Sequence, residues 1–391
     1  MKRVFHYFTV FLLVFTLLLS GCGNTLKKQL EEESKMNFDK YNYDVYLKTP
    51  IWKGDLITHE TLLFVEDENG NYTAELMYEP TRIVSFKSAT LAEDYAKGVD
   101  YEISGKTVTL IKSGAMPRLS HKEYYPDVNN GDAIDRVGGG YLKLVGGSYF
   151  HEHQVAVSYR HKEKWNGPVP KYKGELLPRS VSKLKNNEPI KILFYGDSIT
   201  WGGDSSGLYG VSPKAPIWPL MTVSGLQKYY GNAKIDYVNT AVGGFNSTEG
   251  VQNMKEKAAD IAPDLCFLAF GMNDATQGTP PDKVKENVVK IMDAVLAVNP
   301  NCEFVIVATM LPNAEVAFGG GSMLKTHGKQ IDAFLTLEKE GVAVMNFTEM
   351  SSYMLSLKKF RDMTGNNVNH PNDFLARIYA ETAIKTLCEN Y

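Results

Sequence analysis

Four short polar runs in the second half of the chain hold the residue types that acyl transfer needs. Gly196-Asp197-Ser198-Ile199-Thr200 follows an apolar run and offers a hydroxyl at a strand-to-helix turn. Residues 239–246 follow another and bring Gly243 and Gly244. Gly271-Met272-Asn273-Asp274 follows a third. Asn366-Asn367-Val368-Asn369-His370-Pro371 precedes the last helical pattern. Acyl transfer needs a nucleophile, a base and donors for the developing oxyanion. Ser198 can attack, with its own N–H at a helix start where main-chain donors lack partners. A glycine N–H can approach closely because no Cβ intervenes. Asn273 can aim a side-chain NH₂ at the same point. His370 can take the serine proton and return it to the leaving group.

Those runs need a scaffold that gathers them. Residues 190–195, 234–238, 264–270, 302–308 and 342–345 read as apolar strands. Helical patterns occupy 247–261, 281–298, 323–340 and 374–389. Near-continuous apolar strands alternating with helices predict a mostly parallel sheet covered on both faces, an α/β fold of the flavodoxin-like type. Its ligand site lies outside the carboxyl ends of the strands, where all four runs fall. Before residue 167 the texture differs: short alternating runs at 60–66, 73–78, 82–86, 99–103, 106–111 and 155–159 with frequent turns. That pattern predicts a β-sandwich of jelly-roll type over residues 43–166. Residues 167–188 are the connector and 189–391 the α/β part, two regions as a length of 391 residues suggests.

Lys2 and Arg3 precede an apolar stretch at residues 10–19, a secretory pattern too short for a comfortable span. Leu19-Ser20-Gly21-Cys22 resembles a bacterial lipobox. The resemblance implies cleavage before Cys22, a lipid on its sulfur and a surface protein held at the membrane. Residues 23–42 are charged and polar and read as a tether. Cys266, Cys302 and Cys388 remain, an odd number without metal-site spacing. A net charge of -3 with dispersed Lys and Arg excludes an electrostatic case for nucleic acid. Gly138-Gly139-Gly140 and Gly146-Gly147 lack the Lys-Ser/Thr of a phosphate loop, and no cofactor or metal is expected.

The four runs resemble, in order and strand context, the blocks of the SGNH (GDSL-type) hydrolases, over roughly residues 189–391. The resemblance implies Ser198 as nucleophile, His370 as base, and Ser198 N–H, Gly244 N–H and Asn273 as oxyanion donors, with Gly243 the alternative to Gly244. One position departs. The family has Asp three residues before the histidine, and here Asn367 stands there. An amide can orient an imidazole but cannot stabilise imidazolium by charge. A Ser–His dyad steered by a main-chain carbonyl is preferred, with Asp362 and Asp373 as the nearest alternative acids. Trp201, Tyr209 and Trp218 follow the nucleophile and are candidates to stack on a sugar. His151 and His153 share a face of an expected strand, and His327 an expected solvated loop. Exported esterases with a jelly-roll module before an SGNH domain are similar in layout, so a carbohydrate O-deacetylase is the expected activity. An O-acetyltransferase or lipid esterase, and a glycan-binding lipoprotein with a vestigial esterase domain, are the competing readings.

Overall fold

The computed structural model describes residues 22–34 and 40–391, apart from positions 232 and 320. Residues 1–21, where an export segment is expected, and the side chain of Cys22 lie outside the described residues. No helix among the described residues is long and apolar enough to cross a membrane. Where composition alone suggests a loose tether, Cys22–Ser34 is a helix. Glu33 near its end is buried and accepts from Arg160 Nε at 2.9 Å and from Arg82. Gln29 donates to Asp55. A buried carboxylate with two guanidinium partners fixes the segment to the β region.

The β region consists of antiparallel sheets. Strands β1 (Leu56–Leu63), β2 (Val65–Glu66), β3 (Tyr72–Glu75), β4 (Arg82–Ser88), β5 (Tyr101–Ser104) and β6 (Thr107–Leu110) are followed by a hairpin, β7 (Ala133–Asp135) and β8 (Tyr141–Lys143), and by β9 (Gln154–Arg160). One sheet has the order β1-β9-β4 and the other β2-β3-β6-β5. The chain passes from one to the other at Phe64, which is fully buried. The sheets meet through Phe86 of β4 and Tyr101 of β5, ring centroids 4.1 Å apart. His151 and His153 lie in a short helix, Tyr149–His153, rather than on a strand. His151 Nε2 bonds the Ser212 carbonyl and His153 Nδ1 the Tyr149 carbonyl, so both are held by main chain.

The second region is built on a parallel sheet. Strands β10 (Ile190–Gly196), β11 (Ile235–Asn239), β12 (Leu265–Ala269), β13 (Glu303–Ala308) and β16 (Val342–Asn346) lie in the order β11-β10-β12-β13-β16, all parallel. Alternate residues of β10 point to opposite faces. Ile192 and Phe194 pack with Trp218, Ile378 and Tyr379 from the helices Trp218–Tyr229 and Asp373–Leu387. Leu193 and Tyr195 pack with Val284, Val288 and Ile291 from the helix Pro281–Val298. A two-stranded ribbon, β14 (Ala317–Phe318) with β15 (Gly321–Ser322), leaves the sheet after β13. The helical pattern expected at 323–340 is broken into 3₁₀ turns at Met323–Lys325 and His327–Lys329 and a helix at Gln330–Leu335.

The two regions share one apolar core, which runs from Leu62 and Phe64 to Phe194, Phe374 and Ile378. Polar groups between them are buried and paired. Glu60 of β1 takes the ammonium of Lys358, the Tyr159 hydroxyl and the Met77 N–H, and both charged side chains are fully buried. Arg377 donates to the hydroxyl and carbonyl of Thr58. Glu381, beside Arg377, accepts the Ile51 N–H at 2.9 Å. Burial pushes the Glu381 carboxyl up to about 7, opposed by Arg377 and by that N–H.

A carboxyl raised on folding binds its proton more tightly in the native state than in the unfolded chain. Its contribution is therefore complete below the ordinary glutamate range and is lost as pH rises through about 7. The thermal midpoint, followed by circular dichroism, should fall between about pH 5 and pH 8. Glu381→Gln should flatten that fall, and an unchanged slope in the variant would place its source elsewhere.

Candidate active site

β10 delivers Ser198, the candidate nucleophile. Gly196 ends it against β12 so closely that a Cβ there would lie 2.3 Å from the Ala269 carbonyl oxygen. Asp197 then caps the short helix Ser198–Trp201 by accepting the Ile199 N–H at 3.0 Å. Burial pushes the Asp197 carboxyl up to about 7, with the Ile199 N–H opposing. Trp218 is 1% exposed and donates from Nε1 to the Ile199 carbonyl at 3.1 Å. It braces the nucleophile turn from the core and is unavailable to a sugar. Trp201 and Tyr209 are 43% and 46% exposed.

Ser198 Oγ lies 2.7 Å from His370 Nε2. His370 Nδ1 lies 2.5 Å from Oδ2 of Asp204, six residues after the serine. The acceptor carboxylate places the imidazole proton on Nδ1 and leaves Nε2 to receive the serine proton. The three candidates for orienting the histidine do other work. Asn367 accepts from the Tyr124 hydroxyl and donates to the Lys143 carbonyl. Asp362 accepts the Leu63 N–H and Asp373 the Ser206 N–H. The dyad expectation fails with them, because a carboxylate does face the imidazole.

Asp204 reaches its place through an unusual backbone. The helix ends at Gly202 (φ +96°), and Asp204 itself has φ +62°. A non-glycine there costs on the order of 1 kcal/mol, and Asp tolerates it better than most. Glycines admit the close packing: a Cβ on Gly203 would sit 2.9 Å from His370 Cε1, and one on Gly365 2.6 Å from Asp204 Cβ. The histidine loop is wound around Asn366, whose Oδ1 accepts the N–H groups of Val368, Asn369 and His370. Asp204 and Asn366 are the residues that sequence reasoning missed. The Gly202-Gly203 pair just before an aspartate was the available signal for Asp204.

The donor side comes from the loops after β11 and β12. A Cβ on Gly243 would lie 4.0 Å from Ser198 Cβ. Gly244 has φ +83° and open space beside it. Among the described residues, neither N–H, nor that of Ser198, meets an acceptor. Asn273 Nδ2 donates to the Phe245 carbonyl at 2.9 Å, which leaves its second N–H to spare. The next residue, Asp274, fully buried, clamps the glycine loop by accepting from Ser247 N–H and Oγ. Its carboxyl is raised by burial, with the Ser247 bonds opposing. Behind the short helix Met272–Thr276, His327 is buried, not solvated, and bonds the Met272 carbonyl at 3.1 Å. Burial holds its imidazole down at about 4, hence neutral near pH 7. No group of three or more His, Cys, Asp or Glu side chains among the described residues could hold a metal ion. Cys266, Cys302 and Cys388 are buried free thiols.

Residues 194–377 match the GDSL-like Lipase/Acylhydrolase family. No curated protein matches the chain. Among solved structures, the chain is similar to a two-domain esterase (CEX) active on acetylated mannans, with 20% identity and a TM-score of 0.43, covering 57% of this chain and 54% of that one. It is also similar to Axe2, an acetylxylan esterase from Geobacillus stearothermophilus, with 16% identity, a TM-score of 0.42 and coverage of 51% and 94%. A GDSL-like lipase from Parabacteroides merdae aligns with 17% identity, a TM-score of 0.43 and coverage of 51% and 95%. The matched segment, a little under half of the chain, holds Ser198, the loops of Gly244 and Asn273, and His370, and this region is a carboxylic ester hydrolase of the GDSL-like lipase/acylhydrolase type.

Proposed function

We propose that the chain removes O-acetyl groups from carbohydrate through an acyl-enzyme on Ser198. The observation that carries the reading is the unbroken series of hydrogen bonds from Ser198 through His370 to Asp204. Ser198 Oγ attacks the acetyl carbon while its proton passes to His370 Nε2. The oxyanion is met by the N–H groups of Ser198 and Gly244, with Gly243 beside them, and by Asn273; each donor is worth about 10²–10³ in rate. The sugar hydroxyl leaves with the proton from His370. Water then attacks the acetyl-serine, gives one proton to His370, and acetic acid departs as Ser198 regains that proton, the acid ionising in solution. Asp204 stays ionised throughout and stabilises the imidazolium.

Two exposed aromatic side chains favour a carbohydrate. Trp201 is in the nucleophile helix and Tyr209 in the loop after it, and both offer rings to solvent. Such rings pack on the apolar faces of sugars. The division into a β region at 43–166 and a hydrolase region at 189–391 belongs to the same reading. So does attachment at the cell surface through a lipid on Cys22. A relay with all three members in place speaks against a vestigial site, and transfer to another acceptor would need the same acyl-enzyme.

Ser198→Ala should abolish turnover of p-nitrophenyl acetate. Asp204→Asn should lower kcat by about 10⁴, the cost of reversing the histidine tautomer. Asp373→Asn should lower it far less; the opposite ranking would return the role to Asp373. Acetate release from acetylated oligosaccharides should be detectable, with Trp201→Ala raising KM for them about tenfold, equivalent to about 1.4 kcal/mol, and sparing p-nitrophenyl acetate. A preference for acyl chains longer than butyryl would point to lipid instead. Membrane fractionation should find the protein with the membrane and Cys22→Ala in the soluble fraction; an unchanged distribution would refute the anchor.

A further inference from the structure

We propose that the β region is part of the catalytic apparatus: residues 143–147 set the positions of both the triad acid and the histidine loop, with Asn367 and Tyr124 as positioning residues. The inference rests on the Ser198–His370–Asp204 relay proposed above. Its first support is at the acid. Asp204 Oδ2 faces His370, while Oδ1 accepts the N–H of Gly147 at 2.6 Å. Gly147 has φ +85°, and a Cβ on Gly146 would sit 3.3 Å from the same oxygen. Bare backbone of the β region is thus pressed against the carboxylate. A carboxylate with one oxygen fixed by a main-chain N–H cannot swing away from its imidazole without breaking a charge-assisted bond.

The second support is at the histidine loop. Asn367 is fully buried with φ +67°, a conformation that Asn tolerates. Its Oδ1 accepts from the Tyr124 hydroxyl at 2.9 Å, and its Nδ2 donates to the Lys143 carbonyl at 3.0 Å. Tyr124 is itself 1% exposed, so that hydroxyl has no water to fall back on. Within the hydrolase region, Asn313 Nδ2 holds the Asn367 carbonyl at 2.8 Å. Four residues along the chain from Lys143, Gly147 holds Asp204. One stretch of the β region therefore grips both partners of the Asp204–His370 bond.

The chemistry at position 367 accounts for an amide there. A carboxylate would keep the Tyr124 bond but lose the donor to Lys143. It would then set negative charge against that carbonyl in a site without solvent, an expensive arrangement. With the acid supplied from the nucleophile loop, position 367 no longer orients the imidazole by charge. It ties the loop that bears the histidine to the neighbouring region.

The test uses the full-length enzyme and p-nitrophenyl acetate. Tyr124→Phe removes one hydroxyl and keeps the ring. It should lower kcat about tenfold or more, because displacement of a reacting group by an ångström can cost 10², while KM changes less than threefold. In an Asp204→Asn background the same change should cost less than threefold, since the bond it aligns is already lost. Asn367→Asp should lower kcat further than Tyr124→Phe. Folded fraction is checked by circular dichroism, and Tyr124→Phe carries the test if Asn367→Asp fails to fold. An equal loss from Tyr124→Phe in both backgrounds, or no loss in either, would overturn the inference. Full activity in Asp204→Asn would instead overturn the relay on which it rests.

Discussion

The site turns on a carboxylate with both oxygens committed. Asp204 gives one to the imidazole of His370 and the other to a main-chain N–H from the β region. A histidine can serve as base only if its proton-bearing nitrogen is held and its free nitrogen is aimed. The hold requires an ion that is itself immobile, and Asp204 is 4% exposed, in a left-handed backbone conformation, between glycines that leave no slack. The tight turn after the nucleophile helix, the bare backbone at Gly146 and Gly147 and the missing side chains at Gly203 and Gly365 all follow from that requirement.

The same logic extends to the junction between the regions. An apolar seam alone would allow the β region to slide, because burial is non-directional. Here the seam contains polar groups whose partners lie across it. Lys358 reaches Glu60, and Asn372, two residues after His370, reaches Thr61 and Gln154. A buried donor or acceptor that loses its partner costs about 1–3 kcal/mol, and more for a charge. Each such pair therefore penalises any docking but one. A relay shared between two regions needs that uniqueness of register, and a seam of leucines would not supply it.

Much of this was legible from residue types. The apolar runs at 190–195, 264–270 and 302–308 became β10, β12 and β13, and the amphipathic pattern at 281–298 became the helix Pro281–Val298 with the same bounds. These elements are long, and their periodicity follows from which face is covered. The nucleophile run, the glycine pair, Asn273 and His370 announced themselves because each follows a strand end or precedes a helix. The acid did not, since it meets the histidine across 166 positions, and spacing along the chain says nothing of such a contact. Position 367 misled for a related reason: Asn was judged by what it lacks as a charge and not by the two bonds an amide can make at once. His327, expected in a solvated loop, lies in a 3₁₀ turn that buries its ring under the Met272 carbonyl. The histidines at 151 and 153 were placed by alternation alone, whereas in the single helical turn before β9 residues two apart point to different sides.

Three aspartates stand near the reacting serine, and their surroundings give them different duties. Asp197 is buried, raised to about 7, and spends its oxygen on the Ile199 N–H, so it shapes the turn that presents Ser198. Asp274 is buried against Ser247 and fixes the loop of Gly243 and Gly244, the proposed oxyanion donors. Asp204 alone has an oxygen turned to an imidazole. Residue type settles that a carboxyl is present; partners settle whether it caps, clamps or pairs with a cation. Asp197 and Asp274 each have an oxygen held by a main-chain N–H. The one carboxylate that must stay charged is placed on the far side of the histidine, where its field favours the imidazolium and the ring separates it from the oxyanion.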